Sequence, residues 1–330
     1  MNYLIVGMGA VGTILSASIK PGNEDYIYAI KSKKEGEKIL SIDIKVIENL
    51  KGIINITPNK VYQYEDEKID VAFITTKSNY LKNMSSTFSI LKKQNPVVIS
   101  LMNGMGYEQY FDGLNIYYGI IMYNAFKQDS KVVLGSKGGL ILDKRLENIL
   151  KDKIINLPVS FVEDIDGYRY RKLWLNTING FLSIFGFSLY QFFEESKKLD
   201  FKPLKIFIDY LEETKDLFER LKIKSNPLPS LDPETLISLM KKLISDEKLD
   251  EKEEKLYLNL PRGKNSTLQS IEKKEETEYQ FLGGYLVKLA DKINLPYKIN
   301  RFVNEKISNY DSTLSFEFLS LDKIIDMFYC

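Results

Sequence analysis

Tyr3-Leu4-Ile5-Val6-Gly7-Met8-Gly9-Ala10-Val11-Gly12 is the stretch that decides the fold. Four apolar residues of strand length run into G-x-G-x-x-G. An apolar run at helical spacing, Val11–Ile19, follows at once. Strand, glycine turn and helix in that order mark a dinucleotide-binding βα unit. Gly7 allows the tight turn, Gly9 lets the backbone approach a pyrophosphate, and Gly12 lets helix and sheet pack closely. The helix N-terminus adds partial positive charge for an anion. The whole loop, Met8, Ala10 and Val11 included, is therefore the expected cofactor-binding stretch.

The pattern extends outward from this loop. Tyr26–Ile30, Val71–Thr75, Val97–Leu101 and Ile116–Met122 are further short apolar runs without clean alternation. Such runs suit strands covered on both faces of a parallel sheet. Helical candidates lie between them at Tyr80–Lys92 and Gly106–Phe111. The alternation predicts a Rossmann-type doubly wound α/β domain over residues 1–165. Two small hairpins are expected beside it, one from 42–47 and 52–56, the other from 132–134 and 139–142. Residues 166–330 read differently. Tyr168–Tyr190, Pro203–Leu221, Pro233–Ile244 and Glu275–Ile293 carry apolar residues at helical spacing and predict an all-α second domain. The charged run Ser245–Lys255 reads as a solvated helix end or loop.

Composition narrows the function classes. The 330 residues fit about two domains. Forty-six basic residues against 45 acidic give no general attraction to nucleic acid or an anionic membrane. No apolar run approaches the roughly 20 residues of a membrane span, and the N-terminus reads as a strand rather than a signal peptide. The single cysteine, Cys330, cannot form an intrachain disulfide, which fits a reducing, cytoplasmic setting. There is no histidine. That excludes Ser-His-Asp and Cys-His nucleophile pairs, His-ligated metals and a histidine acid, and no metal is expected. Any proton transfer falls to Lys, Asp, Glu or Tyr.

The end of the second strand bears on which dinucleotide binds. An NAD site usually has an acid there for the ribose hydroxyls. This chain has Ile30-Lys31-Ser32-Lys33-Lys34, so Lys31 and Ser32 favour the 2′-phosphate of NADP. Lys77 and Asn103-Gly104-Met105-Gly106 follow two other strands at the sheet edge where open α/β folds bind ligands. Further on, Lys172, Asn176 and Asn179 share one stripe of a helix, while Trp174, Leu175 and Ile178 take other faces. Asparagine is a poor helix former, so two on one stripe suggest a demand for hydrogen bonds. Without histidine, a desolvated lysine is the natural proton donor.

Taken together these pieces resemble the ketopantoate reductase (2-dehydropantoate 2-reductase) family over roughly residues 2–310. The matching elements are Gly7–Gly12, Lys77, Asn103–Gly106, Lys172 with Asn176, Lys264-Asn265-Ser266-Thr267-Leu268-Gln269, and Thr277-Glu278 before a helix. Gly186-Phe187-Ser188-Leu189-Tyr190-Gln191 is similar to the family's loop after the lysine helix. The resemblance implies a Rossmann domain, a helical domain of the 6-phosphogluconate-dehydrogenase-like kind, and an active site in the cleft between them. It implies NADPH-dependent reduction of a 2-oxo acid in pantothenate and coenzyme A biosynthesis. Lys172 would be the general acid, Glu278 would hold the substrate's distal hydroxyl, and Ser266 and Asn176 would bind its carboxylate and nearby oxygens. Lys77 and Asn103 would line the junction of nicotinamide and substrate.

The chain departs from the family pattern at several points. The family usually has a second asparagine eight residues after the lysine. Here that position is Gly180, and Asn179 is the nearest amide. Asn265-Ser266-Thr267 stands where two serines and a methionine are usual, and Gln280 and Gly283-Gly284 follow Glu278. A paralogue acting on another 2-oxo acid and a non-catalytic NADP-binding sensor are the alternatives. The expected partners are a small-molecule substrate, no nucleic acid and no membrane. Aromatics such as Tyr190, Phe192 and Phe193 would support a homodimer if exposed, but aromatics at helical spacing are more often core.

Overall fold

The computed structural model describes residues 1–30, 45–48, 61–128, 131–135, 138–229 and 231–329. Contacts divide the chain into two compact units. One comprises Met1–Asn103 and Tyr107–Ile165, the other Gly104–Gly106 and Asp166–Cys330.

The first unit is Rossmann-type α/β. Its strands are β1 (Tyr3–Val6), β2 (Ile27–Ile30), β3 (Lys45–Glu48), β4 (Tyr62–Gln63), β5 (Val71–Ile74), β6 (Val97–Ser100), β7 (Ile116–Ile121), β8 (Ala125–Gln128), β9 (Lys131–Leu134), β10 (Leu140–Asp143) and β11 (Val159–Val162). Eight of them form one sheet in the order β11-β10-β7-β6-β5-β1-β2-β4. Every pairing in it is parallel except β7 with β10. β1 and β5 are buried at every residue, as expected for strands covered on both faces. Helix α1 (Ala10–Ser18) packs against β1 and against the small second sheet, β3-β9-β8. Helices α2 (Ser85–Gln94) and α3 (Glu147–Leu150) complete the unit. Its core joins Tyr3, Ile5, Ile14, Leu15, Phe73 and Ile99, all fully buried.

The first expected hairpin falls mostly on 31–44 and 49–60, which lie outside the described residues; its Lys45–Glu48 segment is β3, which pairs parallel with β9. The second is corrected: β9 pairs antiparallel with β8, while β10 joins the large sheet beside β7. The expected helix at Gly106–Phe111 is a short 3-10 turn, Glu108–Phe111. A 3-10 segment, Ser78–Asn83, precedes α2.

The second unit is all helix: α4 (Ile165–Ser183), α5 (Leu189–Lys197), α6 (Lys202–Arg220), α7 (Pro233–Ile244), α8 (Glu251–Leu258), α9 (Ser266–Glu272), α10 (Gly283–Lys292), α11 (Lys298–Thr313) and α12 (Leu321–Phe328). α6 is central and touches α5, α7, α10, α11 and α12. The single helix expected over Tyr168–Tyr190 is two. α4 stops at Ser183, Gly186 turns with φ +74°, and Ser188 opens α5 with a reciprocal capping box to Gln191. Phe181 of α4 stacks on Phe207 of α6 at 4.7 Å, and Phe192 packs edge-on against both. Phe192 and Phe193 are fully buried, so they supply no docking surface and the core reading holds. Among the described residues no helix is long and apolar enough to cross a membrane.

Candidate active site

In the first unit, strand register sets where the candidate nucleotide-binding loops lie. Val6 at the end of β1 is level with Ile30 of β2 and Ile74 of β5, and Ile74 is level with Ser100 of β6. The loops that follow β1, β5 and β6 therefore leave from one sheet edge. β1 lies between β2 and β5, where the strand order reverses, which is where open α/β sheets bind ligands.

The glycines of the first loop divide by cause. Gly7 has φ +104°, its N–H donates to the Ile30 carbonyl at 3.2 Å, and a Cβ there would come within 2.7 Å of the Thr76 nitrogen. A Cβ at Gly12 would overlap the Gly7 carbonyl oxygen and approach Thr75 Oγ1 to 2.8 Å. The Thr75 hydroxyl itself donates to that carbonyl at 2.8 Å. Packing within the protein thus accounts for Gly7 and Gly12, and it recruits Thr75 and Thr76, which the motif alone does not reveal. Gly9 is different. It is exposed, has an ordinary φ of −74°, and a Cβ there would meet nothing within 4 Å. Gly9 caps α1, whose first turn carries no acidic residue and no side-chain cap. Met8 is buried, and Ala10 and Val11 are half-buried. Lys77 is half-buried and caps the 3-10 segment after β5. Asn103 is exposed at the end of the β6 loop. Lys31 and Ser32 lie outside the described residues.

In the helical unit, α4 carries three cations that follow one another closely. Arg169 binds Asp166 at 2.9 Å. Arg171 is buried, bridges Asp232 at 3.2 Å and Glu234 at 2.6 Å, and lies over the Trp174 ring. Among the described residues no carboxylate comes within ion-pair distance of Lys172. Loss of water around its ammonium lowers its pKa from the ordinary 10.5 to about 8. Asn176, one turn on, is buried, and Asn179 is half-buried.

Two other segments attach to the end of this stripe. The Ser183 hydroxyl lies 2.6 Å from the Asn179 carbonyl and 3.0 Å from Asn265 Oδ1. Asn265 is the N-cap of α9 and accepts from the Leu268 N–H at 3.0 Å; its Nδ2 is buried with no partner among the described residues. Ser266 follows it, exposed, as the first residue of α9. Glu278 is half-buried at the start of the 3-10 turn Tyr279–Phe281. Just before it, Asp311 accepts from the Thr277 N–H at 2.7 Å and hydroxyl at 2.8 Å. Within the same unit the Met105 N–H donates to the Phe281 carbonyl at 2.8 Å. Gly104, at φ +88°, lies so close to that carbonyl that no Cβ would fit. Within the helical unit, Ser183 thus ties the Asn179 turn of α4 to Asn265, the residue before Ser266, and Asp311 anchors Thr277, the residue before Glu278. Tyr279, next to Glu278, is not marked by any motif in the sequence; the glycines at 180 and 283 that flank its ring are its only trace there.

A Rossmann-type unit with a glycine-rich loop leading into its first helix, followed by a helical unit that carries a desolvated lysine, is the arrangement of a two-domain class of nucleotide-dependent oxidoreductases. Family models sharpen this: ketopantoate reductase PanE/ApbA matches residues 3–144, and ketopantoate reductase PanE/ApbA C terminal matches 164–311. The chain belongs to the ketopantoate reductase PanE/ApbA family, whose members are oxidoreductases. No curated protein matches its sequence significantly. Among solved structures it is similar to a dimeric ketopantoate reductase from Staphylococcus aureus, with a TM-score of 0.70 at 15% identity, covering 96% of this chain and 100% of that one. It is also similar to a PanE/ApbA family ketopantoate reductase from Ralstonia eutropha JMP134, with a TM-score of 0.69 at 16% identity and coverage of 95% and 99%. A third is D-mandelate dehydrogenase in complex with NADH, with a TM-score of 0.65 at 19% identity and coverage of 96% and 100%.

Proposed function

We propose that this protein is an NADPH-dependent reductase of 2-oxo acids that converts 2-dehydropantoate to pantoate, with Lys172 as the general acid. The observation that carries the reading is Lys172 itself. Its ammonium is desolvated, no carboxylate among the described residues lies within ion-pair distance, its pKa is lowered to about 8, and it sits on a helix stripe with Asn176. A pKa near the working pH suits a group that must both hold and release a proton.

The glycine loop fits a dinucleotide. Gly9 has no internal reason to be glycine, and the α1 terminus is open to an anion. Gly7 to Gly12 would cradle the pyrophosphate, Lys31 and Ser32 would hold the 2′-phosphate, and Lys77 and Asn103 would flank the nicotinamide end. When bound, the cofactor supplies the hydride taken up by the substrate's carbonyl carbon. Lys172 would give a proton from Nζ to the carbonyl oxygen as it becomes an alkoxide, then regain one from solvent. Asn176, Asn179 and Ser266 would orient the carboxylate and carbonyl oxygens, and Glu278 would accept a hydrogen bond from the distal hydroxyl. Synthesis of pantothenate and coenzyme A in the cytoplasm is the setting this chemistry serves.

A second reading, reduction of a different 2-oxo acid, draws on Gly180, which has no side chain to offer a substrate, and on the mandelate dehydrogenase likeness. A panel decides: ketopantoate, pyruvate and phenylglyoxylate, each with NADPH and with NADH. Highest kcat/KM for ketopantoate with NADPH is expected. Preference for phenylglyoxylate would move the assignment to the second reading.

A further inference from the structure

Gly180 of α4 and Gly283 of α10 face the same ring. A Cβ at Gly180 would overlap Cε2 and Cζ of Tyr279 and come within 2.6 Å of its Oη. A Cβ at Gly283 would overlap Oη and Cζ and come within 2.7 Å of Cε1. The hydroxyl end of Tyr279 is therefore seated in a slot between the two helices, its Cε2 edge at Gly180 and its Cε1 edge at Gly283, and the slot exists because neither residue has a side chain. The ring is 1% exposed. Its hydroxyl lies 3.1 Å from that of Tyr210, which donates to the Thr177 carbonyl of α4 at 2.8 Å. Tyr210 has one proton and it is committed to Thr177, so Tyr279 is the donor in the pair.

The residue next to Tyr279 is Glu278. On its other side Thr277 is held by two bonds to Asp311. Glu278 is thus fixed between two anchors, one of which ends on α4 between Asn176 and Ile178. We propose that Tyr279 is a positioning residue: its slot between Gly180 and Gly283 and its relay through Tyr210 to Thr177 set where Glu278 stands relative to Lys172 and Asn176. The inference rests on the reading of Glu278 as the hydroxyl-binding residue. It also gives Gly180 a cause, since any side chain at 180 would evict the ring.

Three measurements separate the parts. In a thermal-denaturation cycle, Gly180→Ala lowers Tm by several degrees in the wild-type background and has no added cost in Tyr279→Ala, where the ring is gone. Additive losses would overturn the slot. Tyr279→Phe keeps the ring and loses the relay. It should raise KM for ketopantoate about tenfold, with unchanged KM for pyruvate, unchanged NADPH affinity and an unchanged pH midpoint for kcat. An equal change for both substrates, or none, overturns the positioning role. The 13C carboxylate resonance of Glu278, assigned through Glu278→Gln, should move in Tyr279→Phe whether or not a substrate is turned over; a fixed resonance overturns the proposal by itself. Failure of the wild type to reduce any 2-oxo acid would sink only the proposed function, because the cycle and the resonance still decide whether Tyr279 sets Glu278.

Discussion

Lys172 works against the fold that holds it. Burial disfavours its ammonium form and lowers the folded-state pKa to about 8, below the ordinary 10.5 of the unfolded chain. A group with a depressed pKa adds nothing above the unfolded value and costs stability as pH falls through the folded one. The difference corresponds to about 3 kcal/mol. Lys172→Met should therefore be more heat-stable than the wild type at pH 6.5, with the gap closing toward pH 10. A gap that widens with pH would contradict the assignment. The proton-donor role predicts that kcat/KM for reduction declines above a midpoint near pH 8. The lysine and its asparagines were legible in the sequence because they share a helix, where a period of 3.6 places i and i+4 together. The Tyr279–Tyr210–Thr177 chain was not, because its hydroxyl pairing spans 69 residues and no local period records it.

At the scale of elements, the glycine loop makes the sharpest prediction. Gly12→Ala forces a Cβ against the Gly7 carbonyl and Thr75, so it should destabilise the protein by about 1–3 kcal/mol. Gly9→Ala meets no atom and should leave Tm nearly unchanged while weakening NADPH at least about tenfold, since only a bound pyrophosphate would feel the methyl group. Matching Tm losses in the two variants would mean that Gly9 is there for packing. Titration calorimetry and a thermal melt on each variant supply both numbers. The parallel strands were legible because strands buried on both faces, such as β1 and β5, are continuous apolar runs. Their partners outside the main run were not: Val132–Leu134 resembles half of a hairpin with Gly139–Leu142, yet β9 pairs with β8 and β3. Nothing local decides between a strand's two neighbours when both are apolar. The break between α4 and α5 was hidden for a related reason. Apolar spacing runs on past Ser183, and only Gly186 with the Ser188–Gln191 cap marks the interruption.

At the scale of the molecule, each unit has its own buried core, and ligand linkage reports on the assembled protein. A ligand at a hundred times its Kd stabilises the folded state by about 2.7 kcal/mol. NADPH should raise Tm more than NADH at equal concentration, and Lys31→Ala should erase the difference. A difference that survives that change would put the 2′-phosphate elsewhere. The central claim is 2-oxo acid reduction with Lys172 as proton donor. It is tested most directly by following NADPH absorbance with ketopantoate for the wild type and for Lys172→Ala. The predicted result is stoichiometric NADPH oxidation and pantoate formation by the wild type. Lys172→Ala should still bind NADPH but turn over at least about a hundredfold more slowly. Turnover by Lys172→Ala at the wild-type rate, or a wild type that binds NADPH and oxidises it with no 2-oxo acid, would contradict the account.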